Sequence, residues 1–330
     1  MNWVEEFAEK LFPLNRSHLD IDGAYLFKDS YLPSSIFKYR KVNEYSLSNL
    51  EEDTVWLADP SNFNDPYDCA HTVDYDEVGR FKGNEFLNTY LTENREKMNF
   101  TKGEEQRILA DDNGFDLLVE HGLSQMNISD EDRSGMKEVL ISVLKQMMED
   151  LTKHTSEKLA SSFKLCSFSE RNDSMLMWAH YADYHKGFCI EYDLTGINPF
   201  DYRRRFLYPT IYSDLMFDAT SHFKKDVNDI SFNNLHLTKA ALVKAIDWQY
   251  EKEWRLIFAH GLMDKEQPYF MGKPKAVYLG TKISDEHQNK ILEICSRKGI
   301  GVYKMKPHHK HFSLKPVEPS KAELHFFKNT

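Results

Sequence analysis

Trp248-Gln-Tyr-Glu-Lys-Glu-Trp-Arg-Leu-Ile-Phe258 sets three charges, Glu251, Glu253 and Arg255, at alternate positions where an apolar run begins. The run reads as a strand, and alternate side chains of a strand stand on one face. Two carboxylates and a guanidinium beside paired tryptophans are more than a plain sheet needs. Two explanations stay open, a structural ion-pair network and a site.

Around that stretch the pattern of elements gives the fold class. Downstream, Ala276–Gly280 and Gly301–Met305 read as strands, and Ser284 is placed to cap a helix running to Arg297. Upstream, Leu237–Ile246 reads as a helix. Strands are expected at Ser35–Arg40, Thr54–Ala58, Phe163–Phe168, Gly187–Tyr192 and Leu207–Tyr212. Residues 3–12 read as a helix, and Ser46–Leu50 as a helical turn. From about Tyr75 to Ser162 the chain turns polar and helical. There Val139, Leu140, Val143, Leu144, Met147, Met148 and Leu151 make one apolar stripe, read as core rather than as a partner face. Short strands with irregular helices between them, and no steady βαβ rhythm, point to α+β and not to a doubly wound sheet. The expectation is a single α+β domain over 1–330 carrying a helical insertion at 78–162.

Composition removes some function classes. Apolar residues make up 41% of the 330, enough for a folded core. The net charge of −10 has the wrong sign for non-specific binding to nucleic acid or an anionic membrane. No run approaches the roughly 18–20 apolar residues of a membrane span. The acidic amphipathic start, Met1-Asn-Trp-Val-Glu-Glu-Phe7, lacks the features of a secretory leader. Cys69, Cys166, Cys189 and Cys295 form no C-x-x-C pair, which fits reduced thiols, a cytoplasmic chain and no structural metal.

Three further clusters carry polar chemistry. After Lys38-Tyr39-Arg40, the stretch from Trp56 to Asp68 holds Asn62, Asn64, Asp65 and Asp68 around two prolines. Such residues bind their own backbone in turns, or recognise a ligand's hydroxyls or amide. In Leu165-Cys-Ser-Phe-Ser-Glu170, alternation puts Ser167 and Ser169 on one face and Cys166 and Phe168 on the other. Neither serine sits in a G-x-S-x-G elbow, so acyl transfer is not indicated. Met175–Gly187, read as a helix, brings Trp178, Tyr181 and His185 to one side and His180 and Tyr184 to another, with Gly187 as a left-handed cap. Pro307-His-His-Lys-His311 reads as an exposed basic turn rather than a metal grip.

Five ordered blocks carry a resemblance. Tyr39-Arg40, Phe63–Asp68, Cys166–Ser169, Met177–Asp183 and Trp248–Arg255 resemble the signature blocks of a bacterial family, domain of unknown function 2971, between about Ile36 and Gly280. The order of an early basic strand, a central strand with serines and a late Glu-x-Glu is also similar to ADP-ribosyltransferases of the arginine–serine–glutamate class. That second resemblance implies a split sheet of short antiparallel strands and NAD as substrate. It also implies that Arg40 contacts the phosphates with a bidentate fork. Ser167 or Ser169 would steady the nicotinamide ribose, and Tyr67 or Trp178 would stack on nicotinamide. Glu253 would stabilise an oxocarbenium-like transition state, and Glu251 would orient or deprotonate the acceptor. Tyr39, Asn64, Asp65, His180, Tyr181 and Arg255 complete the expected nucleotide-binding set. The chain departs from the class in having Ser-Phe-Ser for Ser-Thr-Ser, Arg255 beside the carboxylates, and the insertion.

Three functions are therefore expected in turn. The first is an NAD-consuming enzyme, by transfer to a protein or nucleic-acid acceptor or by hydrolysis, acting as a toxin or antiphage effector. The second is a nuclease holding a divalent ion on Asp65, Asp68, Glu251 and Glu253. The third is a non-catalytic nucleotide-sensing or interaction module.

Overall fold

The computed structural model describes residues 2–94, 100–111 and 113–318. Its strands are β1 (Ser35–Arg40), β2 (Thr54–Leu57), β3 (His71–Thr72), β4 (Phe163–Ser169), β5 (Phe188–Asp193), β6 (Leu207–Pro209) and β7 (Ile211–Ser213). They continue with β8 (Phe217–Asp218), β9 (Val243–Ala245), β10 (Glu253–Ala259), β11 (Gln267–Phe270), β12 (Ala276–Leu279), β13 (Gly301–Pro307) and β14 (Leu314–Val317). The main sheet has the order β14-β13-β12-β5-β1-β4-β10-β6. All its pairings are antiparallel except that of β12 with β13, which a helix at Asp285–Lys298 connects. A parallel pair needs such a crossover, whereas antiparallel neighbours do not.

Period-two alternation explains how the central strands sit. Cys166 and Phe168 of β4 face one way with Trp254 and Leu256 of β10, into a core that includes Ile36, Leu57, Val277 and Ile291. Leu165 and Ile257 face the other way, against Phe7, Leu11, Phe12 and Ala240. A third cluster joins Tyr39, Trp178, Cys189, Tyr278 and Met305. The Asp285–Lys298 helix begins as expected: the Ser284 hydroxyl accepts from His287 N, and Gly299 closes the other end at φ 62°.

One break in the sheet matters most. β1 pairs with β5 along its whole length, from Ser35↔Asp193 to Arg40↔Phe188. β4 pairs equally fully with β10. Between β1 and β4 the register holds only Phe37↔Ser169. Beyond that pair the sheet parts, and Ala58 at the end of β2 bridges instead to Leu165.

Several expectations need correction. The predicted strand Leu207–Tyr212 breaks at Thr210 into β6, which pairs with β10, and β7, which pairs with β9. The predicted helix Leu237–Ile246 is a 3₁₀ turn, His236–Ala241, followed by β9. Ala240, Ala241 and Leu242 are all buried, and a run apolar on every side does not separate helix from strand. The helix with the apolar stripe exists, at Asp130–Ser161, but Val139, Leu140, Val143 and Met147 are exposed rather than core. Leu144, Met148 and Leu151 have side chains outside the described ones. A helical period tells that one face is apolar, not what covers it. The buried cluster among these helices is instead Leu87, Leu91, Ile108 and Leu118. No helix among the described residues is long and apolar enough to cross a membrane.

Candidate functional site

A cleft of about 190 Å³ occupies the parting between β1 and β4. Phe37, Lys38, Tyr39 and Arg40 line it from β1, and Leu165, Cys166, Ser167 and Phe168 from β4. Trp56, Ala58, Phe63, Asn64 and Asp68 close one side; Met177, Tyr181, Lys244, Glu251 and Glu253 close another. Arg40 and Glu253 therefore share one cleft. They approach it from opposite faces of the sheet. Arg40 alternates with Lys38 and Ile36 of the first core, while Glu253 opposes Ser169, on the Phe37 side.

The acidic end is a buried charge network. Glu253 and Arg255, two apart on β10, face the same way, and Arg255 Nε and Nη2 lie 3.0 and 3.1 Å from Glu253 Oε1 and Oε2. Arg255 Nη2 also reaches Asp68 Oδ1 at 2.7 Å, and Nη1 donates to the Ala241 carbonyl. Arg255 is wholly buried, so this fork is satisfied within the protein. Lys244 of β9 sends its ammonium to Glu251 Oε2 at 2.7 Å and to Glu253 Oε2 at 2.9 Å, with Asp68 Oδ2 at 3.8 Å. Tyr181 donates its hydroxyl to Glu251 Oε1 at 2.7 Å.

Glu251 reaches this network differently from the expected strand geometry. It ends a 3₁₀ turn, Ile246–Glu251, and Lys252 takes a left-handed conformation at φ 45° before β10 begins. Only Glu253 and Arg255 share a strand face. The left-handed residue turns Glu251 so that Lys244 can bridge it to Glu253.

The two glutamates are driven apart in acidity. Burial raises the Glu251 carboxyl above the usual range, with the neighbouring Glu253 adding to it against Lys244 and Tyr181. For Glu253 burial acts the same way, but Arg255 and Lys244 outweigh it and hold the carboxyl below its usual value. Lys244 keeps its proton more firmly than usual: burial opposes its charge, and Glu253, Glu251 and Asp68 together more than restore it. One carboxylate is held as an anion, and its neighbour binds a proton more readily than an ordinary glutamate.

The basic end is less crowded. Lys38 reaches across the parting to donate to the Ser167 carbonyl at 2.7 Å. Arg40 Nη2 donates to Asn49 Oδ1 at 2.8 Å, and Asn49 Nδ2 donates to Thr54 Oγ1 at 2.9 Å at the start of β2.

The other expected residues divide. Tyr39, Asn64, Ser167 and Tyr181 line the cleft, although Tyr39 is buried and donates its hydroxyl to the Arg171 carbonyl. Ser169 is fully buried; its hydroxyl donates to the Glu251 carbonyl and accepts from Arg171 N, so it holds the turn rather than a ligand. Trp178 is also fully buried, edge-on to Tyr39, with its N–H on the Asn172 carbonyl, and does not reach the cleft. Asp65 accepts from Tyr67 N in a turn, and neither it nor the exposed Tyr67 is a lining residue. His180 is exposed and stands beside Lys41, Asp183 and Tyr184 in a separate hollow. Arg255 lies behind the cleft wall. Gly187 is not the left-handed cap. Asp183, Tyr184 and His185 take positive φ, and Gly187 is glycine because a Cβ there would meet the Arg40 carbonyl at 2.1 Å.

For the divalent-ion expectation, Asp68, Glu251 and Glu253 do gather, while Asp65 stays in its turn. Lys244 and Arg255 already bridge the gathered carboxylates. Among the described residues, no group of three or more His, Cys, Asp or Glu is placed to hold a metal ion.

Sequence reading missed Lys244 and Phe37, and it named Lys38 and Trp56 in the first cluster without giving either a role. Lys244 had a signal: a lone lysine inside Ala240-Ala-Leu-Val-Lys-Ala-Ile246 must be buried, and a buried ammonium needs counter-charges.

Residues 177–256 match a family described as Protein of unknown function (DUF2971). The match holds the Met177–Asp183 and Trp248–Arg255 blocks; the Tyr39-Arg40, Phe63–Asp68 and Cys166–Ser169 blocks lie outside it. No curated protein and no solved structure matches the chain, so the resemblance to ADP-ribosyltransferases gains no support there.

Proposed function

We propose that this chain, similar over residues 177–256 to a family of unknown function, consumes NAD by breaking the bond between nicotinamide and ribose. The observation that carries the reading is one cleft lined by Arg40 and by two glutamates whose acidities shift in opposite directions. Paired carboxyls pushed apart in pKa are the usual arrangement for dividing charge stabilisation from proton transfer. In this scheme Arg40 receives the diphosphate. The C1′–N1 bond breaks with its electron pair leaving on nicotinamide, which departs neutral. Positive charge develops on the ribose ring beside the fixed Glu253 anion. The incoming nucleophile, water or a macromolecular acceptor, bonds to C1′ and passes its proton to Glu251. A raised pKa brings that base nearer the working pH. Ser167, unlike Ser169, lines the cleft with its hydroxyl on Glu253, where the two would meet the ribose together.

The test is nicotinamide release from NAD by the wild type and by Glu253→Gln, without added metal and with lysate as acceptor. Release by the wild type alone, with the variant as folded by circular dichroism, is expected. No release, and no rise in the wild-type melting temperature with NAD, would overturn the reading.

A further inference from the structure

Trp56 is the one tryptophan of five whose ring has no aromatic partner among the described residues. Trp3 stacks on Tyr31 and meets Trp254, Trp178 meets Tyr39, and Trp248 meets His180 and Tyr250. On β2 the flanking Val55 and Leu57 point into the first core, so Trp56 is turned outward, 42% exposed, at the cleft. An indole is large and apolar, and leaving its face to water forgoes much of what burial would contribute. This one has Pro268 opposite it on β11 and no aromatic neighbour among the described residues, and it lines the cleft.

Its position relative to Arg40 gives the chemistry. Arg40 bonds to Asn49 and Asn49 to Thr54, which stands two residues before Trp56 on the same face of β2. The indole is thereby tied to the basic wall of the cleft. A guanidinium and a half-exposed indole lining one cleft suit a phosphate attached to a nucleoside, with the base on the ring. We infer that Trp56 is the stacking platform for the purine of a purine-nucleotide substrate. The inference rests on the NAD reading and assigns the adenosine half of that substrate to this wall.

The experiment is direct binding, independent of turnover. ADP-ribose, AMP and nicotinamide mononucleotide are titrated into wild type, Trp56→Ala and Trp56→Phe. Calorimetry gives the affinities, and the wild type less Trp56→Phe gives the fluorescence of Trp56 itself. Losing a stacked base is expected to weaken ADP-ribose and AMP roughly tenfold or more in Trp56→Ala. Trp56→Phe keeps a π-face and should stay within about threefold of wild type. Nicotinamide mononucleotide should be indifferent to Trp56→Ala, and AMP should quench the Trp56 signal. Equal AMP affinity in wild type and Trp56→Ala overturns the inference even if NAD is cleaved. Equal weakening of nicotinamide mononucleotide overturns the purine assignment. Binding of none of the three to the wild type overturns both this site and the NAD reading. Trp56-dependent AMP binding without NAD cleavage leaves the purine site standing and removes only the reaction.

Discussion

Arg255 grips Glu253 at two points from two residues along the same strand, with contacts of 3.0 and 3.1 Å, in a place where the guanidinium has no exposure at all. The pair both positions the carboxylate for the cleft and ties the sheet to Asp68 in the loop after β2. The structural network and the proposed site are here the same residues, and variants separate the two roles.

Arg255→Met leaves Asp68 and Glu253 as buried carboxylates with one cation, Lys244, between them. Breaking such a pair from one side costs about 3–5 kcal/mol, because the orphaned charge stays desolvated. Urea denaturation should show that loss. Glu253→Gln should cost much less, since it keeps the shape and leaves Arg255 paired with Asp68. Equal losses would mean that the two-point grip is not what stabilises the region.

The Tyr181 hydroxyl donates to Glu251 and favours its ionised form, partly countering burial. Tyr181→Phe removes that donor, so the Glu251 pKa should rise further. If Glu251 is the base, the acid limb of the pH–rate profile for nicotinamide release moves to higher pH. In Glu251→Gln the limb should vanish along with most of the activity. An unmoved limb in Tyr181→Phe would take the base role away from Glu251.

His222 is buried, its ring stacked on His236 at 5.7 Å between centroids, and its Nδ1 has no hydrogen-bond partner among the described residues. Burial first, then His236 and Lys225, push its pKa from 6.5 down to about 4. The unfolded chain therefore binds more protons in that interval, and stability must fall as pH drops from 6.5 towards 4. Thermal melts across this window should show the decline. His222→Phe should make it shallower, the remaining slope including His236, His71 and His185, which burial also lowers.

Gly187→Ala places a methyl 2.1 Å from the Arg40 carbonyl and 2.9 Å from that of Ala182. The neighbours are backbone, so the loop or β1 has to move. The expected cost is about 1–3 kcal/mol, the usual range for overpacking, and AMP affinity should fall with it as Arg40 shifts. Gly135→Ala, helical and with open space around it, is the control and should stabilise by about 0.5–1 kcal/mol.

Much of the frame could be read directly from residue patterns. Ser35–Arg40 and the cap at Ser284 appear where alternation and capping chemistry put them. Those signals are local: neighbouring residues decide them, whatever the rest of the chain does. The same reading failed where the deciding partner was distant. The stripe at 139–147 was apolar enough for a core, yet the short insertion cluster lies elsewhere. Ser169 is a ligand group by pattern, but the Glu251 carbonyl takes its hydroxyl; Trp178 is a stacking ring by pattern, but it is buried edge-on to Tyr39.

For the site itself, the sequence alone determined that Glu253 and Arg255 would share a strand face, because a strand's period is two. It also placed Ser167 and Ser169 opposite Cys166 and Phe168 for the same reason. Only the tertiary structure decided that β1 and β4 part after Phe37↔Ser169, opening a cleft that Arg40 and Glu253 enter from opposite faces. It alone brought Lys244 between the glutamates and set their acidities apart. Strand pairing and the burial of a charge depend on contacts between residues far apart in the chain, and no local pattern encodes which of them will meet.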